Sequence, residues 1–149
     1  MEKIISKSIL THAVQEYSDF SNSVDTICNY NLSNKKYYMY LLVNKSLKLS
    51  CGKVASQVGH AVEKITLKSK RLPAYKSYIS NGSPKIVLSV PSEEKFIEIL
   101  DQTKKYEKVY IIDEGLTQCP KNSVTVVGYF IINENNIPQI FKTLSLYNK

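Results

Sequence analysis

Leu47-Lys48-Leu49-Ser50-Cys51-Gly52-Lys53-Val54-Ala55-Ser56-Gln57-Val58-Gly59-His60-Ala61 is the stretch whose reading decides the fold. At about 3.6 residues per turn it predicts a helix that begins near Ser50 and runs to about Lys68. Val54, Val58, Ala61, Val62 and Ile65 fall on one face, and Lys53, Gln57, His60 and Lys64 on a second. Such a helix can lay its apolar stripe on a sheet while holding an amine, an amide and an imidazole side by side. An ordinary amphipathic helix with a solvated polar face has the same pattern. Gly52, near the start, lets a ligand approach the backbone closely. Just upstream, Tyr38-Met39-Tyr40-Leu41-Leu42-Val43 is a nearly continuous apolar run, as expected of a strand covered on both faces. Strand followed by helix is the unit from which the rest is built.

Working outward, Ala74–Ile79 reads as a short helix closed by the turn Asn81-Gly82-Ser83-Pro84. Lys85–Val90 is a second strand, rich in β-branched residues. Ser92 is a natural N-cap for a helix with Glu93 and Glu94 in its first turn and Phe96, Ile97, Leu100 and Tyr106 on its apolar side. Val109–Ile112 is a third strand ending at Asp113, and a polar loop, Glu114–Ser123, leads to a fourth over Val124–Ile132. Asn135-Asn136-Ile137-Pro138 starts a last helix, with proline in its first turn, reaching about Leu144. The order β-α-(α)-β-α-β-β-α predicts an α/β three-layer sandwich: a four-stranded mixed sheet with helices on both faces. Residues 37–149 form this domain. Residues 1–36 form an N-terminal arm, with a loose helical pattern at Ile4, Ile5, Ile9, Val14 and Tyr17, a surface His12, and a polar linker from Asp19 to Asn34.

The 149 residues, 43% of them apolar, suit one globular domain with an appended arm. The formal charge of +7 comes almost wholly from lysine, since Arg71 is the only arginine. Lysine attracts polyanions without the planar fork that reads base edges, so sequence-tolerant phosphate contact is favoured over sequence-specific DNA recognition. Cys28, Cys51 and Cys119 form neither a disulfide framework nor a zinc-ligand pattern. A reducing cytoplasm is the simplest setting. No run approaches the ~20 apolar residues that span a bilayer, and the N-terminus lacks the apolar core of a secretory signal.

A second informative stretch is Ile112-Asp113-Glu114-Gly115-Leu116-Thr117-Gln118, which sets an acid, a hydroxyl and an amide just past a strand end. Ligands of open α/β sheets commonly bind there. If the first and third strands run in one direction, this group meets Lys48 and Lys53 on one rim. Singly, Asp113 and Thr117 also suit turn and cap positions.

Residues 47–61 resemble the L-K-M-G-K-G-K-[IV]-A-A-Q-C-[SG]-H-A signature of the type 2, archaeal and eukaryotic, peptidyl-tRNA hydrolases. Gly82–Leu88 resembles the family's G-x-P-K-[IV]-V-[LV] strand entry, Asp113–Gln118 its D-A-G-[RKH]-T-[EQ] motif, and Ser123–Gly128 its S-x-T-V-L-[GA] strand. Four ordered motifs across residues 38–147 are far more specific than any one. The resemblance implies hydrolysis of the ester joining a peptide to the 3′ end of tRNA, without metal or cofactor, and so recycling of tRNA in translation. Peptidyl-tRNA is the implied partner, and a homodimer is left open. By position, the resemblance assigns Lys53, Gln57, His60, Asp113 and Thr117 to catalysis, and Lys48, Gly52, Gly115 and Gln118 to substrate contact. Lys53 would steady the developing negative charge, Asp113 would hold Lys53 and orient water, and Thr117 would bond the water or the ribose. His60 is either the base or a buried histidine that positions Gln57.

The chain departs from the family at Asn44 and Ser46, where Arg and Asp are usual, at Ser50-Cys51 in place of Gly-Lys, and at Glu114 and Leu116. The replacements at Asn44, Cys51 and Leu116 each remove a basic group. A non-catalytic relative that binds RNA or protein through the same rim is the competing expectation.

Overall fold

A computed structural model describes residues 35–148. The arm's helical pattern, His12, Cys28 and the linker lie outside these residues. Strand β1 (Tyr37–Asn44) is followed by a 3-10 turn (Lys45–Leu47), helix α1 (Cys51–Ser69), helix α2 (Pro73–Ser80), β2 (Lys85–Val90), α3 (Glu93–Gln102), β3 (Lys108–Asp113) and β4 (Ser123–Tyr129). The sheet runs β3-β4-β1-β2, with β1 parallel to β2 and antiparallel to β4, and β4 antiparallel to β3. β1, β2 and β3 therefore end on one edge of the sheet, where β4 begins. Two short strands add to this frame: β5 (Ile132–Asn133) pairs with the start of β1, and β6 (Ser145–Leu146) with β2.

Alternation along β1 builds a core on each face. Met39, Leu41 and Val43 pack with Val54, Ala61 and Ile65 of α1 and Tyr78 of α2. Tyr40 and Leu42 pack with Phe96 and Ile99 of α3 and with Ile140 and Phe141. The expected sandwich with helices on both faces is thus present. α1 sits close because Gly128 of β4 lies beneath it; a Cβ there would come within 2.7 Å of Ile65 Cδ1 and 3.2 Å of Ala61 Cβ.

The last expected helix is replaced by two 3-10 turns, Glu134–Asn136 and Gln139–Thr143. Ile137 and Pro138 between them are extended, with ψ of 126° and 130°. Proline pushes its predecessor out of the helical region, so the segment breaks where a continuous helix was expected. The fourth strand likewise stops at Tyr129, and the chain resumes pairing only at Ile132. Among the described residues no helix is long and apolar enough to cross a membrane.

Candidate active site

The site forms where β1, β3 and the start of α1 meet. After the 3-10 turn, Lys48 takes a left-handed conformation (φ 50°), and its amide closes the turn on Lys45 O. Ser50 then caps α1, its hydroxyl accepting from Lys53 N at 3.3 Å. Gln118 clasps the same residue. Ser50 N donates to Gln118 Oε1 (2.8 Å), and Gln118 Nε2 donates to Ser50 Oγ (2.9 Å). The loop after β3 is thereby tied to the helix start, and the Ser50 departure supplies both the cap and the tie.

Within the loop, Gly115 has φ +78°, and a Cβ there would lie 2.5 Å from Lys121 N. Only glycine fits this turn without displacing backbone. Its amide donates to Asp113 Oδ1 at 2.8 Å, while Asn122 N donates to the Asp113 carbonyl at 2.8 Å.

Asp113 is buried and is the centre of the cluster. Its Oδ2 forms an ion pair with Lys53 Nζ and accepts from Gln57 Nε2 at 3.1 Å. Lys53 and Gln57 are four residues apart on α1, so one helical turn presents an ammonium and an amide to one carboxylate oxygen. The hydrogen bond from Lys53, then that from the Gly115 amide, hold the Asp113 carboxyl below its ordinary range. Burial, and next the bond to Asp113, push the Cys119 thiol up, so it stays protonated there.

Behind this cluster is a residue that the sequence reading did not single out. The Thr125 hydroxyl, fully buried, lies 2.9 Å from Gln57 Oε1 and 3.1 Å from Ile111 O, with one proton to give. The β3–β4 register shifts between Ile111 and Ile112, so Ile111 faces Val126 and Ile112 faces Val124. This bulge turns Thr125 and Val126 toward α1 in succession. The S-x-T-V pattern held the residue, but strict alternation would have hidden its direction.

Of the other residues singled out, His60 is exposed on α1 without hydrogen bond or ion pair among the described residues. It is therefore not a buried histidine positioning Gln57; Asp113 and Thr125 hold that amide. Thr117 is exposed in the loop with no side-chain bond among the described residues, and Lys48 points into solvent at the rim. Gly52 has open space where a Cβ would stand. A cation, an amide donor and a low-lying carboxylate converge on one atom. That arrangement can steady negative charge on a carbonyl oxygen while a carboxylate fixes the cation.

Fold and site together define a small mixed-sheet α/β protein with a lysine–aspartate–glutamine cluster at the carboxyl edge of its strands. The family model "Peptidyl-tRNA hydrolase PTH2" matches residues 37–147, and the chain belongs to that family. It is 34% identical over 101 residues to a peptidyl-tRNA hydrolase of Staphylothermus marinus, covering 65% of this chain and 84% of that one. It is 30% identical over 113 residues to one of Methanopyrus kandleri, covering 74% and 97%. It is 37% identical over 97 residues to the mitochondrial peptidyl-tRNA hydrolase 2 of Bos taurus, covering 62% and 54%.

Proposed function

We propose that this chain hydrolyses the ester between a peptide and the 3′ end of tRNA, with the Lys53–Asp113–Gln57 cluster as its reaction centre. The observation that carries the reading is the Lys53–Asp113 pair at the strand edge, seated in a chain of the peptidyl-tRNA hydrolase family. Water adds to the acyl carbon, the ester C–O bond breaks, and the ribose oxygen departs with a proton. Lys53 offers its ammonium to the carbonyl oxygen as charge develops. Asp113, held ionised, is a weak base; its work is to hold Lys53 and orient water. Gln57 fixes the carboxylate and is itself fixed by Thr125. Thr117 and His60 face solvent at the same helix and loop, where substrate arrives, so Thr117 is assigned to the water or ribose and His60 to proton transfer. Lys48, Gly52, Gly115 and Gln118 shape the mouth.

Several proposals accompany this reading. The lysine-rich surface contacts tRNA phosphates, residues 37–149 are the catalytic domain, residues 1–36 are an arm dispensable for chemistry, and the setting is the cytoplasm. Edge strand β3, with Tyr110 and Ile112 exposed, is the surface open to a second copy of the chain.

Release of N-acetylated amino acid from N-acetylaminoacyl-tRNA tests the reading. Lys53→Ala and Asp113→Ala should each lower kcat by about 10²–10³, the scale of a lost oxyanion donor. Full turnover in both variants refutes the roles. Salt-sensitive tRNA binding without cleavage at high enzyme concentration would favour the binding-only relative.

A further inference from the structure

Strand β3 is the outer strand of the sheet, and Asp113 stands at its end. It pairs with β4 on one side, and among the described residues nothing pairs with the other. We propose that this free edge binds the peptide of the substrate as an added strand, parallel to β3, with its esterified end beside Asp113.

The backbone register is the first observation. Residues of an antiparallel pair alternate between those that bond the partner strand and those whose N–H and C=O turn away. Phe130 N donates to Glu107 O at 3.0 Å at one end of β3, and Asn122 N donates to Asp113 O at 2.8 Å at the other. The odd-numbered residues therefore turn toward β4, and Lys108, Tyr110 and Ile112 turn their N–H and C=O outward. The extra residue of the bulge lies on β4, so β3 keeps this alternation throughout. The second observation is that the edge is unguarded. Exposed edges are usually blunted by charge, proline or a covering element. β3 has no proline, and Asp113 turns in to Lys53. Lys108 Nζ folds back on Thr103 O at 2.8 Å and over the Tyr129 ring. Val109 and Ile111 pack with the α1 cluster, while Tyr110 and Ile112 are 42% and 56% exposed. What remains is an uncharged apolar row with unpaired backbone donors and acceptors, which an extended peptide matches.

Direction supplies the third argument. β3 runs toward Asp113, and the peptide of the substrate ends at its ester, so a peptide with its ester at the Lys53–Asp113 pair runs parallel to β3. Counting back from the ester, its first residue lies beside Asp113, its second beside Ile112 and its third beside Ile111. In parallel pairing the first residue's N–H donates to Ile112 O and the third's to Tyr110 O, while the third's C=O accepts from Ile112 N–H. The second residue's N–H turns away from the sheet, and its side chain lies against Ile112. Main-chain bonds are the same for every sequence, as cleavage of peptides with no fixed sequence requires.

This inference rests on the proposed substrate, and its test separates the two. Cleavage of N-acetylated peptidyl-tRNAs with one, two and three residues is measured on the full chain, alongside the Kd of an uncleavable, amide-linked three-residue analogue. kcat/KM should rise from one residue to three. N-methylation of the third residue's nitrogen should lower it about 2–12-fold, the worth of one hydrogen bond, and N-methylation of the second should leave it unchanged. Ile112→Pro removes an outward N–H and no bond to β4, so it should keep the unfolding midpoint and lose part of the gain from the third residue. Equal cleavage of the two N-methyl substrates overturns the strand site while keeping the hydrolase reading, and is the result expected if a second copy of the chain holds this edge. The same alternation in the Kd of N-methylated analogues, without cleavage of any ester, keeps the site and refutes the hydrolase reading.

Discussion

Replacing Thr125 by valine probes the support beneath the proposed reaction centre. The side chains have nearly the same shape and both suit a strand, so no cavity opens and no backbone preference changes. What disappears is one hydroxyl donor at a fully buried position, shared between Gln57 Oε1 at 2.9 Å and Ile111 O at 3.1 Å. The hydroxyl has one proton, so one bond is lost rather than two. A buried acceptor left unmatched costs about 1–3 kcal/mol. At about 4 °C per kcal/mol for a domain of this size, Tm should fall by about 4–12 °C. Urea unfolding should show a lower midpoint with an unchanged slope, since the exposed surface does not change. Turnover should fall as well, because Gln57 loses one of the two groups that hold its amide toward Asp113. Thr125→Ser, which keeps the donor, should retain most turnover while losing only the packing of a methyl group. A valine variant with wild-type midpoint and turnover would refute the linkage from β4 through Gln57 to Asp113.

Three further outcomes follow from the same geometry. Asp113 has a depressed pKa, set first by Lys53 and then by the Gly115 amide, so its stabilisation is complete above the unfolded carboxylate value and is lost as pH falls through the lower folded value. Acid unfolding of wild type and Asp113→Asn should therefore converge only below the ordinary carboxylate range; convergence within that range counts against the pairing. Burial pushes the Tyr129 phenol up to about 12, outweighing its 2.7 Å bond with Thr103 Oγ1, which acts in the lowering direction, so the folded state keeps its proton longer than the unfolded one and stability falls as pH rises above 10. Tyr129→Phe should flatten that alkaline decline, read from unfolding midpoints between about pH 9 and 12. Gly115→Ala should cost about 1–3 kcal/mol through its positive φ and its clash with Lys121 N, and should lower turnover by loosening the loop; a midpoint equal to wild type would show that the loop tolerates a Cβ.

The frame of the fold was legible because each element buries an uninterrupted pattern. The apolar run of β1 is covered on both faces, and the Val54–Ile65 stripe spaces itself as a helix does. The end of the chain was not legible in that way. Ile137 and Ile140 stand at helical spacing, but Pro138 forces extended backbone between them, and local geometry overrides the periodic signal. Strand β6 gives no signal of its own. Its two residues are exposed and are strands only because β2 supplies the partner.

The site divides along a similar line, and Gln57 and His60 show why. Both lie on the polar stripe of α1, yet Gln57 is buried and His60 is exposed. Angle around a helix can be counted from sequence, whereas distance along it has to be measured against something outside the helix. At about 1.5 Å per residue, Gln57 is about 6 Å from Lys53 along the axis and His60 about 10 Å. A single carboxylate at the end of β3 reaches the first pair and not the third residue. Which carboxylate stands there, and where, depends on β3 and β4 pairing with a bulge and on Gln118 tying the loop to Ser50, 68 positions away. Side-chain spacing thus nominates Lys53, Gln57 and His60 together. The strand edge separates them, placing Lys53 and Gln57 on Asp113 and leaving His60 exposed to solvent.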